Sequence, residues 1–179
     1  MTVTVDAVMA AVPETLVVGR SGQGTAEVID LTHDSRQVDA GWGFACVVGE
    51  RSDGHEFAAD AVAAGAVMLI VERALPIDVP QLVVADVRRA MGPAAAAAHG
   101  DPGERLTLVG ITGTNGKTTT TAMLGSILSA AGRNVRTQGT LSGVLTTPEA
   151  PDLQRQLAGY VADGVDAVVM EVSSHAMVF

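Results

Sequence analysis

The stretch GITGTNGKTTTT, Gly110 to Thr121, decides how the rest of the chain is read. Its lead-in LTLVGIT (106–112) is an apolar, β-branched run that predicts a strand, GTNG is a turn, and Lys117 to Ala131 reads as a helix closed by Gly132. Strand, glycine loop and helix in that order form the layout of a phosphate loop. Backbone N–H groups and the positive end of the helix dipole face a polyphosphate there, and Gly113 and Gly116 permit its close approach. Lys117 is the only lysine in the chain. Arginine serves elsewhere, but its long planar head cannot act as a compact point charge in so tight a loop. Lys117 is therefore expected at the β- and γ-phosphates of a bound polyphosphate, with the Thr118 hydroxyl holding Mg²⁺. The loop departs from G-x-x-x-x-G-K-[ST], since Ile111 stands at the first glycine position and the sequence is the shorter G-T-N-G-K-T.

Downstream, NVRTQGT (134–140) predicts a second strand, DLQRQLAGYVADG (152–164) a helix, and VDAVVMEVSSH (165–175) a third strand carrying Glu171. An acid following Val168, Val169 and Met170 matches the second element of a magnesium-organising site. Upstream, AEVIDL (26–31), GFACVV (43–48), AVMLIV (66–71) and QLVVAD (81–86) are short apolar runs bounded by Gly, Asp and Pro, and they predict strands. HEFAADAVAAG (55–65) reads as a crossover helix with Phe57, Ala61, Val62 and Gly65 on its apolar face. A further helix is expected from Val87 into the alanine run before His99, kinked or broken at Pro93. HGDPGER (99–105) is a turn-rich hinge, so the expected domains are residues 1–103 and 104–179.

Composition agrees with an α/β class. Of the 179 residues, 47% are apolar and only 3% aromatic, which suits the aliphatic strands of parallel sheets. A net charge of -9 opposes binding to bare nucleic acid or to an anionic membrane, while a metal-carried nucleotide stays allowed. The strongly apolar runs are too short to cross a bilayer and the first cationic residue is Arg20, so a cytoplasmic protein is expected. Cys46 has no second cysteine to pair with and is read as a small buried hydrophobe.

TGTNGKTTTT, GTLSGVLTTPEAPDLQ and MEVSSHAM together resemble central-domain signatures of the Mur ligases, within them the MurE type, and DSRQVDAGWGFACVVGERSDGHEF resembles the N-terminal domain of that type. The phosphate loop alone is shared with cyanophycin synthetase and folylpolyglutamate synthase; the DSR segment and TTPEA tilt the resemblance to MurE. It implies an N-terminal α/β UDP-muramoyl-binding domain followed by part of a P-loop parallel α/β ATPase domain. The implied reaction adds the third residue to UDP-N-acetylmuramoyl-dipeptide in peptidoglycan synthesis: ATP phosphorylates the terminal carboxylate and the amine of an amino acid displaces phosphate from the acyl phosphate. Gly113, Thr114, Asn115, Gly116, Lys117, Thr118 and Thr119 would hold ATP, with Thr118 and Glu171 at Mg²⁺ and Lys117 and Glu171 in the catalytic site. Ser35 would contact the uridine end, and Thr146, Thr147 and Ser173 the muramoyl peptide. Read without the resemblance, Thr146 and Thr147 are rather caps of the helix that follows Pro148 and Ser173 a strand-end hydroxyl, and His175 is a local hydrogen-bonding residue. His33, Glu50, Arg51, Ser52 and Leu145 depart from the type's frequent residues.

The type also carries a carbamoylated lysine and a third domain, for which this chain offers no candidate because Lys117 is its single lysine. The expectation is thus an N-terminal portion that does not ligate by itself, with a three-stranded central sheet showing an apolar edge and face. Two other classes remain open on the residues: a plain P-loop NTPase or small-molecule kinase, and a non-catalytic nucleotide-binding fragment.

Overall fold

The computed structural model describes residues 3–50, 52–139 and 148–173. The chain divides into two compact units, residues 1–100 and 101–179, separated where Gly100 and Asp101 both take positive φ, 69° and 52°.

The first unit carries a five-stranded sheet of order β1-β5-β4-β3-β2, built from β1 (Val17–Ser21), β2 (Asp30–Thr32), β3 (Trp42–Ala45), β4 (Met68–Val71) and β5 (Gln81–Val84). Strands β2 to β5 are parallel and β1 joins β5 antiparallel. The four residues of β4 are all buried, as expected for an aliphatic strand with neighbours on both sides and layers on both faces. Phe44, Cys46, Leu69 and Val71 meet Ala58, Ala61 and Ala66 on one face. Alternation turns Met68 and Ile70 to the other. There α3 (Val87–Ala98) packs on β2, β3 and β4, and α1 (Val5–Ala11) packs on α3.

Several expectations from sequence shift here. Residues 26–29 do not belong to β2: the Val5 N–H donates to the Ala26 carbonyl and the Val28 N–H to the Val3 carbonyl, so 26–28 run beside the N-terminal segment, while the Ile29 N–H donates to the Gly41 carbonyl. The predicted crossover helix is a 3-10 turn, Gly54–Phe57, leading into α2 (Ala58–Ala63). Phe57 closes that turn 39% exposed, and Ala58 rather than Phe57 supplies the buried contact. Pro93 neither breaks nor ends α3, whose 12 residues run through it. Burial of Met91, Ala94 and Ala95 against the sheet outweighs the one backbone bond that proline removes. The sequence assigns neither the antiparallel β1 nor the short α1; β1 is mostly exposed and interrupted by Gly19 and Arg20, so it lacks an apolar signature.

The second unit holds a parallel sheet of order β6-β8-β7, from β6 (Thr107–Ile111), β7 (Val135–Gln138) and β8 (Ala167–Glu171). The central β8 is buried throughout. Helix α4 (Lys117–Ala130) packs on all three strands, while α5 (Ala150–Ala162) brings Leu157, Leu153, Tyr160 and Val161 onto Leu106, Val165 and Val168. Helix α5 starts two residues before the predicted Asp152, because Pro151 fits a first helical turn whose N–H groups are unbonded anyway. Leu108, Met123 and Ile127 are exposed at 41%, 60% and 62%.

Candidate nucleotide-phosphate site

The parallel ladder brings the C-terminal ends of three strands to one edge of the second sheet. Ile111 pairs with Glu171, Gln138 pairs with Met170, and the Val172 N–H donates to the Ile111 carbonyl at 2.8 Å. The loop 112–116 leaves β6 from that edge and enters α4. Ligands of open α/β sheets sit at this end, where connections diverge to opposite faces.

Gly113 and Gly116 take φ of 147° and 80°, conformations that side chains resist. Gly116 is the N-cap of α4 and has no side chain with which to cap it. Helices α1 and α3, by contrast, are capped by the side chains of Thr4 and Asp86. The first-turn N–H groups of α4 thus face outward in an exposed loop, an arrangement suited to an anion. Lys117 Nζ donates to the Gly113 carbonyl at 2.7 Å, which folds the ammonium over the loop and places its charge at the mouth.

Thr118, Thr121 and Ala122 on α4, Thr137, Gln138 and Gly139 at the end of β7, and Glu171 line one cavity of about 160 Å³. Glu171 is 2% exposed. A methyl placed on Gly139 would stand 2.6 Å from both Cγ and Cδ of Glu171, so glycine at that position leaves the carboxylate its space. Thr118 and Glu171, predicted to share a metal, are therefore brought to one cavity, and Lys117 lies beside Thr118 at the start of α4. Among the described residues no cluster of three or more His, Cys, Asp and Glu side chains is placed to hold a metal. A hydroxyl and a carboxylate are nonetheless the hard oxygen donors that suit Mg²⁺, which keeps several waters and takes few protein ligands.

Thr114, Asn115 and Thr119 lie in and just past the exposed loop. Ser173 follows β8 by two residues and is half-buried at the same sheet edge. Thr146, Thr147 and His175 fall outside the described residues. Ser35 belongs to the first unit, where it opens the 3-10 turn Ser35–Gln37. Asp34 caps that turn and grips Arg36 with both oxygens, Nε at 2.8 Å and Nη2 at 2.7 Å. The Arg36 guanidinium holds the Asp34 carboxyl down to about 2. Cys46 is fully buried and burial pushes its thiol up to about 12, which leaves no thiolate for chemistry.

Thr121, Gln138 and Gly139 join the site without having a place in the sequence-based expectation. The i, i+3 spacing of Thr118 and Thr121 already places both on one helix face. Nothing local marks Gly139, whose role comes from Glu171, 32 positions away.

The fold and this edge define a P-loop-type parallel sheet that follows, in the chain, a separate α/β unit. The family profile "Mur ligase family, catalytic domain" matches residues 28–101 and "Mur ligase middle domain" matches residues 111–179; the chain belongs to the Mur ligase family. Curated relatives that it matches are of the MurE type. The UDP-N-acetylmuramoyl-L-alanyl-D-glutamate–2,6-diaminopimelate ligase of Geobacillus thermodenitrificans is 45% identical over 163 residues, 86% of this chain and 33% of that protein. A solved 2,6-diaminopimelate ligase structure of the same name superposes with a TM-score of 0.77 at 25% identity, over 99% of this chain and 37% of the other. The MurF ligase of Thermotoga maritima in complex with ADP gives a TM-score of 0.60 at 28% identity, over 81% of this chain and 32% of that one. The chain spans about one third of the length of the curated relatives it matches. Among the described residues no helix is long and apolar enough to cross a membrane.

Proposed function

We propose that this chain supplies the UDP-sugar-binding and nucleotide-phosphate-binding regions of a cytoplasmic, ATP-dependent ligase that extends UDP-N-acetylmuramoyl-dipeptide by one amino acid in peptidoglycan synthesis. The observation that carries the reading is the meeting of Thr118 and Glu171 in one cavity beside Lys117 and the side-chain-free cap of α4. The similar MurF ligase with bound ADP supports a nucleotide there, and the relatives' names support 2,6-diaminopimelate as the added amino acid.

In this reading residues 1–103 serve the UDP-muramoyl ligand and residues 104–179 the ATP. Gly113 to Thr119 wrap the triphosphate with backbone N–H groups, and Lys117 neutralises its outer phosphates. Thr118 and Glu171 hold Mg²⁺, which when bound screens the phosphate charge. Ser35 reads the uridine end, and Thr146, Thr147 and Ser173 hold the muramoyl peptide. No side chain becomes covalently attached; the chain's residues bind, align and neutralise.

Titration calorimetry of the chain with ADP and Mg²⁺ tests this. Lys117→Ala should weaken ADP at least tenfold with the far-ultraviolet circular dichroism spectrum unchanged. Equal affinity in the variant, or no binding by the parent chain, would sink the reading.

A further inference from the structure

Helix α4 carries two kinds of hydroxyl. Ser126 Oγ donates back to the Ala122 carbonyl one turn earlier, 2.9 Å away, the usual way a helical hydroxyl satisfies itself. Thr121 does not. It is 4% exposed, and its Oγ1 atom is fully buried with no hydrogen-bond partner among the described residues. Buried hydroxyls are nearly always bonded, so an unpartnered one marks the place of something that binds.

Thr121 lines the same cavity as Thr118 and Glu171. It lies one turn deeper along α4 than Thr118, on the face turned to the sheet. The cavity, about 160 Å³, has room for several waters, since each needs on the order of 10–15 Å³ measured this way. A magnesium ion held by one hydroxyl and one carboxylate retains part of its hydration shell, and those waters are strong donors seeking acceptors.

We propose that Thr121 is a positioning residue for the cation: its hydroxyl oxygen accepts a hydrogen bond from a water of the hydrated divalent ion held between Thr118 and Glu171. This rests on the nucleotide-phosphate reading above. It deepens that reading by assigning the inner wall of the cavity to the ion's water rather than to the nucleotide.

The test uses Mn²⁺ as the probe, counted by the electron paramagnetic resonance signal of the free ion, with ADP present. Thr121→Val removes the hydroxyl at constant shape and should weaken Mn²⁺ about tenfold, as loss of an outer partner of a metal site does. Thr121→Ser should retain parent affinity, and ADP affinity in EDTA should be the same in all three proteins. Because the hydroxyl has no partner among the described residues, Thr121→Val should also melt no lower than the parent in EDTA. If Thr121→Val fails to fold, Thr121→Ala removes the same oxygen and carries the same expectation for Mn²⁺. Undiminished Mn²⁺ affinity in either variant overturns the role of Thr121 while leaving the nucleotide site standing. Absence of Mn²⁺ binding by the parent chain with ADP bound overturns the cation site and the role of Thr121 with it.

Discussion

Gly139 and Glu171 are in direct apposition across the β7–β8 edge: the space a methyl would need at Gly139 is already held by Cγ and Cδ of Glu171. Since β8 is the buried central strand, its backbone cannot retreat, and any added atom at position 139 must displace the carboxylate. Gly139→Ala is therefore expected to cost about 1–3 kcal/mol by overpacking and to cut Mn²⁺ affinity in the presence of ADP more than tenfold. Thermal unfolding and the Mn²⁺ titration check the two halves separately. A variant as stable and as tightly metal-binding as the parent would show that Glu171 has room to spare.

His55 is locked between two elements of the first unit. Its Nδ1 lies 2.6 Å from Asp53 Oδ1, and its Nε2 accepts the Glu72 N–H at 2.9 Å, which fixes the proton on Nδ1. Its side chain is completely buried. His55→Ala leaves a cavity and an unpaired Glu72 N–H, so a loss of about 2–4 kcal/mol is expected in urea denaturation. A midpoint unchanged within error would mean that water replaces the ring at no cost.

Asp53 also supplies a pH dependence. The His55 backbone N–H, then the Arg73 guanidinium and the His55 ring, hold its carboxyl well below the ordinary aspartate range. Asp34 is held near 2 by Arg36. A carboxyl depressed on folding contributes stability above its unfolded pKa, near 3.9, and that contribution fades as pH falls through the folded value. Stability should therefore climb between about pH 2 and pH 4. In Asp53→Asn the climb should be smaller and the urea midpoint at pH 6 lower. Parallel curves for the two proteins would remove Asp53 from the account.

Cys46, fully buried with its thiol pushed up to about 12, should not react with an aromatic disulfide reagent at pH 8 until the first unit unfolds. The reaction should then follow the urea unfolding curve. Rapid modification of the folded chain would place the thiol at the surface instead.

The two units should also differ in local stability. Strand β4 is buried at every position, whereas β6 is exposed or half-exposed along its length and α4 leaves Met123 and Ile127 in solvent. Amides of β4 and β5 are expected to exchange with solvent more slowly than those of β6 and β7, since few buried apolar contacts hold the latter. Equal protection on both sides of Gly100 would contradict this.

Local chemistry determined much of this protein from sequence alone. Apolar runs between Gly, Asp and Pro located β3, β4, β5 and β8, because a strand buried on both faces must be apolar throughout. The phosphate loop was legible for a similar reason: two glycines, one lysine and one threonine at a helix entrance are each required by backbone geometry or charge within six residues. Tertiary structure alone decided the rest. It carried α3 through Pro93, paired residues 26–28 with the N-terminal segment, and added β1 as an antiparallel edge, since in each case distant packing or a distant backbone partner outweighs local propensity. It also brought Thr121 and Gly139 to Glu171. Thr121 is marked in sequence only by its i, i+3 spacing from Thr118 and Gly139 by nothing local, because a residue recruited by the convergence of three strand ends is defined by what lies across the sheet.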